Sequence, residues 1–167
     1  DGGGAMHGAT PKIVNCTFRG NYSEDEDGGA IASYSVWLEN CVFENNLCEE
    51  DGGAVAIGYG SGHVLKNCIF RNNRAEDGGG GLYVNGADME IYNVLIVNNR
   101  ATNNGGGLNI TYGEVILNNV TIANNYATQG GGLYSLSETP TLNNCSVWGN
   151  QGGIYGGRNI YVGTSTA

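Results

Sequence analysis

Asn15-Cys16-Thr17-Phe18-Arg19-Gly20-Asn21 is the stretch that decides the fold, because its frame returns at Asn40, Asn67, Asn93, Asn119 and Asn144. The steps between copies are 25, 27, 26, 26 and 25 residues. A second Asn closes every copy, at Asn21, Asn46, Asn73, Asn99, Asn125 and Asn150. Between the copies runs glycine followed by an aliphatic residue, as in Gly28-Gly29-Ala30-Ile31 and Gly79-Gly80-Gly81-Leu82. These runs open near Gly3, Gly28, Gly52, Gly79, Gly105 and Gly130, and a shortened seventh copy is expected at Gly152-Gly153-Ile154. The 167 residues therefore read as one all-β domain, a right-handed parallel β-helix of about 6.5 coils.

Side-chain columns explain why such a repeat coils. Two residues before the first Asn stand Ile13, Leu38, Leu65, Ile91, Leu117 and Leu142. One after it come Cys16, Cys41, Cys68, Val94, Val120 and Cys145, and three after it Phe18, Phe43, Phe70, Ile96, Ile122 and Val147. Inward positions within a strand are two apart, so the gap of three across the Asn marks a bend with the Asn at its corner. No repeat can bury its apolar face alone; stacked repeats share one core. Each repeat has room for three strand-length stretches. Both Asn columns are expected as buried ladders that bond corner backbone and the Asn of the next coil. Glycan attachment competes for Asn15, Asn119 and Asn144, which match the acceptor pattern, but their corner position favours the ladder. Asn21-Tyr22-Ser23 also matches, and Asn109-Ile110-Thr111 is expected to be the accessible acceptor.

The pairing of Gly-Gly-Ala-Ile with Phe-x-x-Asn resembles the repeat of chlamydial polymorphic outer-membrane proteins. More broadly it is similar to the pectate-lyase-like right-handed β-helix repeats of secreted bacterial surface proteins. Phe18 to Asn21, Phe43 to Asn46 and Phe70 to Asn73 carry the resemblance, while Ile96, Ile122 and Val147 replace Phe later. The resemblance implies an extracellular or cell-surface solenoid, serving as adhesin, passenger domain or carbohydrate-active enzyme.

Charge and chemistry narrow the partners. Lys and Arg number 7 against 16 Asp and Glu, a net charge of −9, which disfavours nucleic acid and anionic membrane. No apolar run has the length of a membrane span. The chain opens on Asp1-Gly2-Gly3, itself a repeat motif, and is expected to be a piece of a longer precursor, continued at both ends or stacked head to tail into a filament.

Candidate sites follow from the departures between coils. Asp27, Glu50, Asp51, Glu76 and Asp77 lie in acidic loops of the first three coils, where stacking gathers oxygen ligands suited to Ca2+. The competing reading is a solvated acidic edge. Asp88 and Glu114 occupy equivalent positions in adjacent coils and are the best carboxylate pair for glycoside hydrolysis, with Glu90, Tyr83, Tyr112, Tyr134 and His63 as a nearby sugar-binding surface. Val42, Ile69, Leu95 and Val97 form an outer apolar strip, read either as a contact face or as β-propensity alone. Arg19, Glu44 and Arg71 are expected to alternate along an exposed stack. Four cysteines share one inward column as free thiols, and Cys48 is placed in a loop, open to reaction. The functional reading is an extracellular structural or adhesive module, self-associating or held to a cell-surface polysaccharide; carbohydrate binding or cleavage is the alternative.

Overall fold

The computed structural model describes residues 4–8, 11–153 and 156–163. Every coil folds into short parallel strands, and every strand pairs with its counterpart one coil away. A first face of seven strands starts at Met6–His7 and ends at Ile160–Gly163. A second face of six runs from Lys12–Val14 to Thr141–Asn143, and a third of six from Thr17–Arg19 to Ser146–Trp148. A fourth, shorter face holds Tyr22–Ser23, Leu47–Cys48, Arg74–Ala75 and Arg100–Ala101. The repeat suggested three strands, and this fourth one is only two residues long, too short to show a period.

The expected inward columns form the core except in the end coils, where Cys16 is exposed and Phe18, Leu142, Cys145 and Val147 are only partly buried. Leu38, Leu65, Ile91 and Leu117 are fully buried on the second face, and Phe43, Phe70, Ile96 and Ile122 on the third. Phe18, Phe43 and Phe70 stack face to face, with ring centroids 5.0 and 4.8 Å apart. The glycine pairs have a backbone cause. Gly79 takes a left-handed φ of 64°, and a Cβ on Gly80 would meet the Gly106 carbonyl oxygen at 2.3 Å.

The two Asn columns hold opposite positions. The second column is a buried ladder. Asn46 donates from Nδ2 to Asn73 Oδ1 at 2.9 Å, Asn73 to Asn99 at 3.0 Å, Asn99 to Asn125 at 3.1 Å and Asn125 to Asn150 at 3.0 Å. The same Oδ1 atoms accept the backbone N–H of the preceding Asn, and the other amide hydrogen reaches carbonyls such as Phe43 O. The ladder begins at half-buried Asn21 and continues past Asn150 to Asn159, which the repeat did not reveal.

The first column is a ladder as expected, but its expected burial is corrected. Asn40 donates from Nδ2 to Asn15 Oδ1 at 3.1 Å, Asn67 to Asn40 at 3.0 Å, Asn93 to Asn67 at 3.1 Å and Asn119 to Asn93 at 3.3 Å. Asn15, Asn40, Asn67, Asn93, Asn119 and Asn144 are exposed, and all have φ between 53° and 57°. Asn is suited to this corner because it tolerates the left-handed conformation. Asn45, Asn72, Asn98 and Asn124 share that conformation, and Gly20 and Gly149 replace them at the ends. The Asn-to-Gly exchange at this position is the sequence signal of positive φ. Asn109, expected to be an open glycan acceptor, is buried at 3% exposure.

Two further expectations change. Cys48 is fully buried in an inward column with Ser23, Ala75 and Ala101. Its thiol donates to Glu26 O at 2.9 Å, anchoring the acidic turn, and burial pushes its pKa up to about 12. It is not a reactive loop thiol. The strand facing Leu133–Leu136 is Ile160–Gly163, so Gly157, and not Gly152, stands opposite Gly130. Gly3 and Ile154 lie outside the described residues. Among the described residues, no helix is long and apolar enough to cross a membrane.

Candidate binding grooves

Two grooves lie on neighbouring faces. The first is built on the outward column of the first face, where register aligns His7, Ala32, Ala56, Tyr83, Asn109, Tyr134 and Tyr161. Tyr83, Asn109 and Tyr134 are large enough to cover the face and are themselves almost buried. Ala32 and Ala56 are not, and they leave a depression of about 230 Å³. One wall is Tyr34 and Tyr59, the most exposed large hydrophobic residues among those described, at 63% and 66%. The other includes Glu26 and Asp27, with Ser33, Tyr83 and Asn85 completing the lining.

Glycine in the next coil seats each tyrosine. A Cβ on Gly58 would lie 2.9 Å from Tyr34 Cδ1, and one on Gly86 only 2.3 Å from Tyr59 Cδ1. The rings therefore lie against bare backbone and keep their other surfaces open. Sugars dock on aromatic faces through their apolar C–H patches, with hydroxyls directed to flanking polar groups. Tyr34 and Tyr59 were missed because they sit in turns of unequal length, outside the repeat register.

The second groove, of about 400 Å³, contains the expected carboxylates Asp88, Glu90 and Glu114, together with His63. Asp88 stands level with Glu114, as expected, but one oxygen of Asp88 accepts the Glu114 backbone N–H at 2.8 Å. The expected sugar-binding surface is divided: Tyr83 and Tyr134 belong to the first face, while Tyr112 is exposed at its edge. His63 is an inward residue, 1% exposed, in register with Met89 and following a bulge after Gly60. Its Nδ1 accepts the Val36 N–H at 3.3 Å, and burial lowers its pKa.

The acidic turns are ordered by backbone. Asp27 Oδ1 accepts the Asp51 N–H at 3.1 Å, and Asp51 Oδ1 accepts the Gly78 N–H at 2.7 Å. Asp77 Oδ1 accepts the Asn103 amide at 2.7 Å, while Glu76 pairs with Arg74 and Glu50 is exposed. Burial, then the charges of Asp27 and Asp77, raise the Asp51 pKa to about 7. Burial also raises that of Asp27. Among the described residues, no three His, Cys, Asp or Glu side chains gather as a metal-ligating group.

The third face carries the apolar strip. Val42, Ile69 and Leu95 are in direct register, half-buried to 36% exposed, with Val97 beside them. Next to it Glu44 is not an exposed member of an alternating stack. It is 5% exposed, held between the guanidinium groups of Arg19 and Arg71. Hydrogen bonds from Arg71 and then Arg19 hold its carboxyl below the usual range.

A family model described as the right handed beta helix region matches residues 2–167. The chain belongs to that family. No curated protein and no solved structure matches it. The parallel coils and their column register agree with the family assignment, which by itself carries no activity.

Proposed function

We propose that this β-helix is an extracellular adhesive module that holds a saccharide in the groove of its first face. The observation that carries the reading is the pair of open tyrosines, Tyr34 and Tyr59, each seated on a glycine beside a floor of Ala32 and Ala56. A rigid backbone ladder fixes their spacing, so little ordering cost is left for binding. The resemblance of the repeat to bacterial surface proteins supports the extracellular placement.

A glycan array tests this reading. The wild-type chain is expected to retain a subset of oligosaccharides, and Tyr34→Ala with Tyr59→Ala to lose them by about ten- to a hundred-fold, given about 0.5–1.5 kcal/mol for each of the two stacking contacts removed. Unchanged binding by the double variant would contradict it. Release of new reducing ends would replace binding with cleavage and direct attention to Asp88 and Glu114.

The strip of Val42, Ile69, Leu95 and Val97 supports a second reading, self-association through the third face, because its members are in register and partly open. Sedimentation at high concentration tests it: Leu95→Lys should abolish any dimer that wild type forms.

A further inference from the structure

We infer that His63 is a positioning residue for the groove of the first face: it pins together the turns that carry Tyr34 and Tyr59, and its protonation releases them and weakens saccharide binding. This rests on the saccharide reading and names a pH-dependent control of that same site.

One imidazole between two coils builds the pin. Tyr34 and Val36 belong to the turn between Ile31–Ser33 and Trp37–Glu39. Tyr59 lies in the turn between Val55–Ile57 and Gly60–Lys66. His63 follows that second turn, where the pairing of Gly60–Lys66 with Ala87–Tyr92 shifts register between Gly60 and His63. The His63 side chain is inward, at 1% exposure. From there Nδ1 accepts the Val36 N–H of the preceding coil at 3.3 Å. The other edge of the ring lies against Gly60: a Cβ there would meet His63 Nε2 and Tyr34 O, each at 3.2 Å. Gly60 is therefore wedged between the imidazole of its own coil and the Tyr34 carbonyl of the coil before. A single ring holds both tyrosine turns.

The two ring nitrogens have different duties, and this makes the pin sensitive to a proton. Because Nδ1 accepts, the ring is neutral and its hydrogen stands on Nε2. Nε2 is enclosed beside the Gly60 backbone without a completed hydrogen bond among the described residues. It keeps its hydrogen in both charge states, so the change on protonation falls on Nδ1. A protonated Nδ1 turns from acceptor to donor and meets the Val36 N–H hydrogen to hydrogen, which leaves buried donors unmet. Burial lowers the His63 pKa from its ordinary 6.5, opposed by the Gly60 backbone and the Asp88 charge. Asp88 lines the groove of the second face with Glu90 and Glu114, and those carboxylates attract the imidazolium away from its inward seat. The turns themselves add only the phenols of Tyr34 and Tyr59 as titratable groups. The pin thus holds at neutral pH and opens as pH falls below 6.5.

NMR of the free chain tests the pin without a ligand. The Val36 amide and the ring signals of Tyr34 and Tyr59 are expected to shift with the His63 imidazole, at one midpoint below pH 6.5. In His63→Asn, whose Oδ1 keeps an acceptor for the Val36 N–H and takes no proton, that common midpoint should disappear. Affinity is then read by calorimetry with an oligosaccharide that the wild-type chain retains on the glycan array. Between about pH 7.5 and about pH 5, wild type is expected to weaken about ten-fold more than His63→Asn. The comparison cancels the titration of Glu26 and Asp27 in the groove lining, which both chains share. His63→Leu offers no acceptor and should bind weakly at both pH values, and the melting temperature of each variant checks that it is folded. Tyrosine signals or affinities that titrate alike in wild type and His63→Asn overturn the pin and leave the saccharide groove standing. Binding unaffected by Tyr34→Ala/Tyr59→Ala overturns the groove reading and the inference together.

Discussion

The early and late coils use one backbone for two surfaces. From Asp27 to Gly86 the outward column of the first face is floored with Ala32 and Ala56, and the turns carry Tyr34, Tyr59, Asp27 and Asp51. From Asn104 onward the same columns hold Asn109, Tyr134, Asn104 and Gln129. The inner Asn ladder crosses both halves without a break. The groove is therefore a matter of side-chain volume and charge placed on a uniform scaffold. Repeat architecture permits this because each column can change independently of its neighbours.

The largest effect should come from what the halves share. Asn73→Ala removes amide bonds to Phe43 O and Asn99 Oδ1, and strips the Asn46 amide of its acceptor. A loss of about 3 kcal/mol in urea unfolding is expected, since buried unmet groups cost about 1–3 kcal/mol each. Asn125→Ala should cost about as much. A large difference between them would break the claim that the ladder is one continuous element.

Second in size is the separation of the halves by ligand. Tyr112 is an exposed aromatic at the edge of the first face in the later coils, at 47%. Tyr112→Ala should leave saccharide affinity within about two-fold, against the ten-fold or greater loss for Tyr34→Ala/Tyr59→Ala. Equal losses would extend the site beyond the alanine floor.

Third, Asp51→Asn makes an early turn resemble the later one at Asn104. The Asp51 carboxyl titrates at about 7 in the folded chain, against an ordinary value of 3.8. A raised carboxyl stabilises the fold fully below the unfolded value, and that contribution is lost as pH rises through about 7. The Asn variant should therefore melt higher than wild type at about pH 8 and no higher at about pH 3. A lower melting temperature at the alkaline end would contradict a carboxylate disfavoured first by burial and then by the charges of Asp27 and Asp77.

The smallest effect belongs to the outer Asn column. Asn67 is exposed with φ 54°, so Asn67→Gly should be nearly neutral and Asn67→Ala should cost about 1 kcal/mol through backbone strain. A cost for the Gly variant approaching that of Asn73→Ala would mean that the outer amides carry stability after all.

The coils and the inward columns were legible because six copies fix a register that chance does not produce. Which side of the wall a column occupies was less legible. Asn15 and Asn21 look alike in the repeat, yet one is an exposed left-handed corner and the other belongs to the inner ladder. Cys48 looked like a loop residue because its strand has only two residues; its inward neighbours Ser23, Ala75 and Ala101 carried the missing signal. Asp88 and Glu114 were placed correctly as neighbours, but the use of an Asp88 oxygen by backbone depends on geometry that spacing does not encode. The tyrosine groove was hidden for a related reason. Tyr34 faces Gly58 and Tyr59 faces Gly86 only across coils, and the intervening turns differ in length.

The account depends most directly on Ala56, whose small side chain keeps the groove open between Ala32 and Tyr83. Ala56→Tyr would continue the covered surface of the later coils into the early ones while leaving the inner ladder untouched. Calorimetry on this variant with an oligosaccharide that the wild-type chain retains on the glycan array, alongside its melting curve, is the decisive measurement. The expected result is loss of binding with the cooperative transition retained. Wild-type affinity in a folded Ala56→Tyr variant would contradict the groove as the binding site.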